Sequence, residues 1–267
     1  MSLQRNRLCL ILVVLLITGF IGCSNYSNSR YVRHFENANL YFDKGDYDKA
    51  IDEYTKAIKY NPSVWEIYFN LAVCYSLSKD YDNVIGALNE AIKLNPDYYV
   101  SWLNRCNAYF RLSKFDLSLY DAEKAVDLII KDTNAVAREK SIAYSNRGEL
   151  YAIMGRYEEA LIDGNKSIEY DSAYGWSFGT RGFAYYGMGE YEKALDDYNK
   201  AIERIASQNT NEAKADLYLL RGDLYIKLGN YDSAITDYNS ALQIVPNNLK
   251  AIEGMNIALT RKSMEME

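Results

Sequence analysis

Along most of this chain apolar residues fall at i, i+3, i+4 and i+7, the spacing of one face of an α-helix, and the runs come in pairs split by a short turn. The pairs recur. Tyr41, Tyr75, Tyr109, Tyr151, Tyr185 and Tyr225 stand at matching points, separated by 34, 34, 42, 34 and 40 residues. Three positions before each is a small residue: Ala38, Ala72, Cys106, Gly148, Gly182 or Gly222. Six positions after each is an aromatic: Tyr47, Tyr81, Phe115, Tyr157, Tyr191 or Tyr231. Small residues let two helices approach, and aromatics fill the space between neighbouring pairs. A single pair cannot bury its own apolar face, so a fixed period of this size predicts a stack of helical hairpins.

The pattern divides the chain into hairpins over 31–64, 65–98, 99–132, 141–174, 175–208 and 215–248, with insertions at 133–140 and 209–214 and a capping helix and tail over 249–267. Four of the turns carry glycine (Gly45, Gly155, Gly189, Gly229), which tolerates the left-handed backbone that ends a helix. The stretch KDTNAVAREK, residues 131–140, has neither Pro nor Gly and is expected to lengthen a flanking helix. The site that holds Tyr54, Leu88, Tyr198 and Tyr238 holds only Ala122 and Gly164 in the middle hairpins, which predicts a thinner, more pliable waist between the third and fourth hairpins.

The period, the small-residue and aromatic sites, and the closing prolines Pro62, Pro96 and Pro246 together resemble the tetratricopeptide repeat. The resemblance implies an all-α, right-handed superhelical solenoid of about six hairpins with a C-terminal capping helix. It also implies a concave, partner-binding groove lined by the first helix of each hairpin. On that implication the groove presents Phe35, Asn39, Phe42, Phe69, Asn70, Val73, Asn107, Phe110, Trp176, Phe183 and Tyr186, with Asn104 and Asn146 at related positions. Aromatics give large anchors and Asn can hydrogen-bond an extended backbone. Chaperone-type members of the family clamp a terminal carboxylate with Asn and basic residues. Here Asn39 and Asn70 match the Asn sites, but Phe35, Val100 and Asn104 stand where the bases would be, so that activity is not expected.

The first residues follow another rule. Arg5 and Arg7 precede an apolar run from Leu8 to Ile21 and then Gly22-Cys23, the layout of an export signal over 1–22. The run is shorter than the roughly 20 residues that span a bilayer. Phe20-Ile21-Gly22-Cys23 resembles the bacterial lipobox, which implies cleavage before Cys23 and lipidation of its thiol, with residues 23–30 as a polar tether. Uncleaved, the same segment would act as a membrane anchor.

Composition narrows the function. The net charge of −6 argues against nucleic-acid binding, and a single histidine, His34, nearly excludes His-pair catalysis and His-rich metal sites. No nucleophile–base set, metal-ligand spacing or phosphate loop is present, so neither enzymatic activity nor a cofactor, metal or small-molecule substrate is expected. Cys74 and Cys106 read as two small buried apolar residues, although an exported pair could bond.

One pairing looks chemical. Arg105, Arg147, Arg181 and Arg221 each precede an aspartate by 16 residues: Asp121, Asp163, Asp197 and Asp237. The first two hairpins lack both partners, with Asn37 and Glu53 in one and Leu71 and Ala87 in the other. A catalytic site would not be copied four times, so these are expected to be structural bridges across each hairpin. His34 falls at a site filled elsewhere by Tyr68, Trp102, Tyr144, Phe178 and Tyr218 and is expected to be a core substitute. The function these readings imply is a lipid-anchored protein-binding scaffold facing the periplasm, resembling bacterial lipoproteins of this repeat class. It would serve envelope assembly, secretion or pilus biogenesis. The alternatives are a self-associating structural oligomer and an inactive adaptor for an envelope enzyme.

Overall fold

The computed structural model describes residues 29–205 and 211–265, and among them the secondary structure is thirteen α-helices with no strand. The leader 1–22 and Cys23 lie outside the described residues, as does most of the tether. The chain forms two compact units that divide between Asp132 and Thr133.

The N-terminal unit holds three hairpins: α1 (Arg30–Asp43) with α2 (Tyr47–Tyr60), α3 (Trp65–Leu77) with α4 (Tyr81–Leu94), and α5 (Tyr99–Arg111) with α6 (Phe115–Ile129). The C-terminal unit holds three more and a cap: α7 (Ala137–Ile153) with α8 (Tyr157–Tyr170), α9 (Gly175–Met188) with α10 (Tyr191–Ile205), α11 (Asn211–Lys227) with α12 (Tyr231–Ile244), then α13 (Leu249–Glu265). Within each unit the two helices of a hairpin pack together, and the second packs on the first helix of the next hairpin.

Each hairpin turn needs one left-handed residue. Gly45, Gly155, Gly189 and Gly229 supply it at φ 73–79°, and the two hairpins without glycine use Lys79 (φ 59°) and Ser113 (φ 58°). Asp46, Asp80 and Asn230 then cap α2, α4 and α12 by accepting the N–H of Lys49, Asn83 and Ser233. An aromatic pair closes three of the turns from the side: Phe42 on Tyr47, Phe110 on Phe115 and Tyr186 on Tyr191, with centroids 5.4, 5.7 and 5.8 Å apart.

The small-residue site works by ring insertion. A Cβ on Gly182 would stand 2.9 Å from the Tyr198 ring, so the glycine is what lets α10 close on α9. The α8–α9 contact is made differently. Gly164 has no ring to offer, and the backbone of Arg181 moves into the space, 3.1 Å from where a Cβ on Gly164 would be. The packing of α7, α8 and α9 is therefore a close helix approach, sealed by small hydroxyls. Ser167 Oγ stands 2.9 Å from Ser141 Oγ and 2.5 Å from Ser177 Oγ, and Ser145 Oγ stands 2.8 Å from Thr180 Oγ1, all of them buried.

The segment 131–140 departs from expectation. Residues 130–136 form a turn and loop, and only from Ala137 does the insertion extend a helix, with Glu139 accepting the N–H of Val136 at 3.0 Å. Two charged residues at its exit, Lys131 and Asp132, and the backbone hydrogen bonds back to Leu128 end α6 instead of prolonging it. The second insertion is helical from Asn211, where α11 begins. Cys74 and Cys106 are both buried, and neither forms a disulfide among the described residues.

Candidate functional site

The four Arg–Asp pairs close in one geometry. Nε and Nη2 of Arg105, Arg147, Arg181 and Arg221 donate to the two carboxylate oxygens of Asp121, Asp163, Asp197 and Asp237 at 2.7–2.8 Å. In three of them the remaining Nη1 reaches back to the preceding hairpin, donating to Asn89, Asn165 or Asn199 at 2.6–2.9 Å. The faces of each guanidinium are covered by rings three residues before and four after: Trp102 and Tyr109, Tyr144 and Tyr151, Phe178 and Tyr185, Tyr218 and Tyr225. Planarity makes this possible, because one fork serves the carboxylate while the flat faces stack. The arrangement ties each of these four hairpins to itself and three of them to the hairpin before, and it uses the donors of each fork within the scaffold.

The first hairpin substitutes a different bridge. His34 is not an apolar core residue: its Nδ1 lies 2.7 Å from Glu53 Oε2 and its ring stacks on Tyr60 at 5.5 Å. Glu53 stands where the other hairpins place aspartate and also accepts from Lys56. Burial works against its charge, but Lys56 and His34 together hold its carboxyl below the ordinary value.

The residues assigned to a groove are mostly interior. Phe35, Phe69, Asn70, Val73, Asn107, Phe110, Trp176 and Phe183 are buried, as are Asn104 and Asn146. Trp176 is 0% exposed and donates its indole N–H to Glu149, itself buried, at 3.0 Å. Phe69 packs edge-on against Tyr98. Such side chains hold neighbouring hairpins together, and a partner could not reach Trp176 without parting helices. Asn39, Phe42 and Tyr186 keep partial exposure. Asn39 is engaged, accepting from Tyr54 Oη at 2.5 Å and from Asn70 at 3.4 Å.

A hollow opens in the C-terminal unit where α9, α11 and α13 lie side by side. Its volume is about 330 Å³. Phe183 and Tyr186 come from α9, Leu220, Asp223, Ile226 and Lys227 from α11, and Glu253, Gly254, Ile257 and Arg261 from α13, over a floor of Tyr198 and Tyr238. Tyr238 Oη donates to Asp223 at 2.7 Å, which fixes that carboxylate against the floor. Of the residues expected in a groove, Phe183 and Tyr186 are brought together here. Leu220, Ile226 and Ile257 were missed, yet they occupy the same register, five and two before or one after the core Tyr or its counterpart Leu259. Counting aliphatic as well as aromatic residues at that register, and carrying it one period into α13, would have found them. Among the described residues no group of three or more His, Cys, Asp or Glu could hold a metal ion, and no helix is long and apolar enough to cross a membrane.

Comparison with known proteins agrees with this architecture. Models of the tetratricopeptide repeat match residues 38–78, 65–98, 142–174 and 174–247. Together they cover more than half of the chain, which belongs to the tetratricopeptide repeat family. Human RNA polymerase II-associated protein 3 is 29% identical over 139 residues, spanning 51% of this chain and 14% of that protein. The chain thus corresponds to about one seventh of that relative's length.

Among solved structures, the anaphase-promoting-complex assembly Cut9–Hcn1 aligns with a TM-score of 0.69 at 16% identity, covering 88% of this chain and 43% of that one. PilW, described as a widely conserved type IV pilus biogenesis factor, aligns at 0.66 and 20%, covering 85% and 99%. A tetratricopeptide repeat protein from Parabacteroides merdae ATCC 43184 aligns at 0.60 and 17%, covering 86% and 99%. At these identities the likeness is one of fold. Proteins of this repeat are generally non-catalytic scaffolds, and the fold supports a protein–protein interaction role with a protein or peptide partner.

Proposed function

We propose that this protein is a non-enzymatic adaptor that holds a segment of another protein against the hollow between α9, α11 and α13. The observation that carries this reading is the hollow itself, about 330 Å³ in size, with Leu220, Ile226 and Ile257 around a half-exposed Tyr186. Apolar concavities with a few charged residues at the margin are where small segments dock. Most of the other expected groove residues are buried in packing, which favours this end of the C-terminal unit as the place of recognition.

The leader supports a second element of the reading, attachment to a bacterial envelope through lipid on Cys23, facing the periplasm. Its support is the order of Arg5 and Arg7, the apolar run and Phe20-Ile21-Gly22-Cys23. Tethering would raise the effective concentration of the scaffold near a membrane partner. Roles in envelope assembly, secretion or pilus biogenesis follow as the setting for such an adaptor.

The test is site-directed photocrosslinking. With benzoylphenylalanine in place of Tyr186, the full chain in its own cells should capture a partner protein, and Ile226→Asp should abolish the adduct. Failure to capture any protein at Tyr186, with the same probe at surface Glu192 equally silent, overturns the docking role. An adduct with a second copy of this chain would favour the self-associating reading instead. Lipid attachment is read separately, as fatty-acid label on the wild-type chain that is lost in Cys23→Ser.

A further inference from the structure

The charges around the hollow specify what fits it, given that the hollow is the docking site. Lys227 and Arg261 occupy the same register one period apart, each two residues after the core position of its helix. Both line the hollow and both are exposed. Neither makes an ion pair or hydrogen bond with another described residue. Other lysines differ: Lys262, the residue after Arg261, is paired with Asp232, and Lys56, Lys93 and Lys200 are paired with acids on their own helices. Two cations that line the same apolar hollow without an ion pair attract a carboxylate from outside the chain.

The opposite end carries the other sign. Glu253 lies eight residues before Arg261 on α13, about 12 Å along the helix axis at the usual rise per residue. Asp223, on α11, stands on the same side as Glu253, one turn before Lys227. The hollow is therefore a dipolar trough, basic toward the C-terminal ends of α11 and α13 and acidic toward their N-terminal ends. Every wall of it is helix, with the backbone groups bonded within the helix, so no free edge offers main-chain pairing. Recognition must run through side chains on a face, which is how an amphipathic helix docks.

We propose that the occupant is an amphipathic helix with acidic residues in its first turn and a basic residue about two turns further on. It lies antiparallel to α11 and α13, with its acids on Lys227 and Arg261 and its base on Glu253. Its apolar face fills the space beside Tyr186, Ile226 and Ile257. The antiparallel direction also sets its dipole against those of α11 and α13 and places acids at its own N-terminus, where they are favoured.

Two stapled helical peptides of about 15 residues test this, sharing one leucine face and carrying glutamates first and lysines last, or the reverse. Their binding to the full chain is read by fluorescence anisotropy. The acid-first peptide should bind about tenfold more tightly, with a preference that shrinks as salt rises. Lys227→Glu combined with Arg261→Glu should invert the preference, and Ile226→Asp should weaken both peptides. Both cations are exposed, so unchanged circular dichroism and melting are expected of the double variant. Equal affinities, no binding by either peptide, or a preference that survives the double reversal overturns the proposal. These outcomes are separable from the docking role: capture at Tyr186 that needs Ile226, without any charge preference, keeps the site and removes the helix chemistry. No capture at Tyr186 removes both.

Discussion

Arg181 and Asp197 meet in a two-point bridge, Nε to Oδ2 at 2.7 Å and Nη2 to Oδ1 at 2.8 Å, while Arg181 Nη1 holds Asn165 of the preceding hairpin at 2.9 Å. Asp197 is 1% exposed, so the bridge compensates for burying its charge. The hydrogen bonds to Asp197 in turn hold the guanidinium's pKa above the ordinary arginine value, against the opposing effect of burial. Arg181→Ala should therefore cost about 3–5 kcal/mol, because a buried carboxylate is left alone. Arg181→Met with Asp197→Leu should recover most of that loss. Urea denaturation of the single and double variants measures both, and a single variant as stable as the double would show that the bridge contributes nothing.

Two helical glycines should respond in opposite ways. Gly86 in α4 has open space around the position of a Cβ, so Gly86→Ala should stabilise by about 0.5–1 kcal/mol through helix propensity. Gly164 in α8 gains the same propensity but faces the backbone of Arg181, so Gly164→Ala should destabilise by about 1–3 kcal/mol. Thermal melts of the pair decide it. A stabilised Gly164→Ala would mean that α8 and α9 part easily.

Lys79 and Ser113 hold the left-handed turn that glycine holds in the other hairpins. Left-handed backbone costs an L-residue about 1–2 kcal/mol, partly offset by the entropy glycine loses on folding. Lys79→Gly and Ser113→Gly should each raise stability by about 0.5–1 kcal/mol, measured by chemical denaturation. The control is Gly189→Ala, at φ 79°, which should lose stability.

The two thiols should be inert in the native chain. Burial pushes Cys74 up to about 12, and Cys106 is buried beside Ser118, whose hydroxyl lies 3.3 Å from its sulfur. A thiol with a raised pKa stays protonated and un-nucleophilic through neutral and mildly alkaline pH. Reaction with a disulfide reagent at pH 8 should reach neither residue until denaturant is added. Native reactivity matching that of the unfolded chain would contradict the burial.

Trp176 and Tyr186 separate packing from docking. Trp176→Ala removes a buried ring bonded to Glu149 and should cost about 3–5 kcal/mol. Tyr186→Ala, at a half-exposed ring, should stay within about 1 kcal/mol of wild type while losing partner capture. Stability curves and crosslinking yield report the two effects independently.

Much of this was legible in the chain. The helices, their pairing and the 16-residue Arg–Asp spacing follow from the 3.6-residue period and from a repeat that copies each position. The site was less legible. Phe69 and Trp176 carry the residue type of an anchor at the register of a groove, yet neighbouring helices cover them. Leu220, Ile226 and Ile257 are unremarkable as letters and become a hollow only when three helices stand together. Gly164 read as a missing ring, and the space is taken by the backbone of another hairpin.

Outside the insertion at 131–140, the sequence alone determined which of the described residues are helical, where hairpins turn and which positions correspond, because hydrogen bonding within a helix and left-handed turns are local. Only the tertiary structure decided which faces stay open. Exposure depends on how closely the next helix approaches, and that distance is set by side chains one or two hairpins away. The acidic and basic ends of the hollow arise in the same way, from Lys227 and Arg261 one period apart, whose shared register had no visible meaning until α11 and α13 lay side by side.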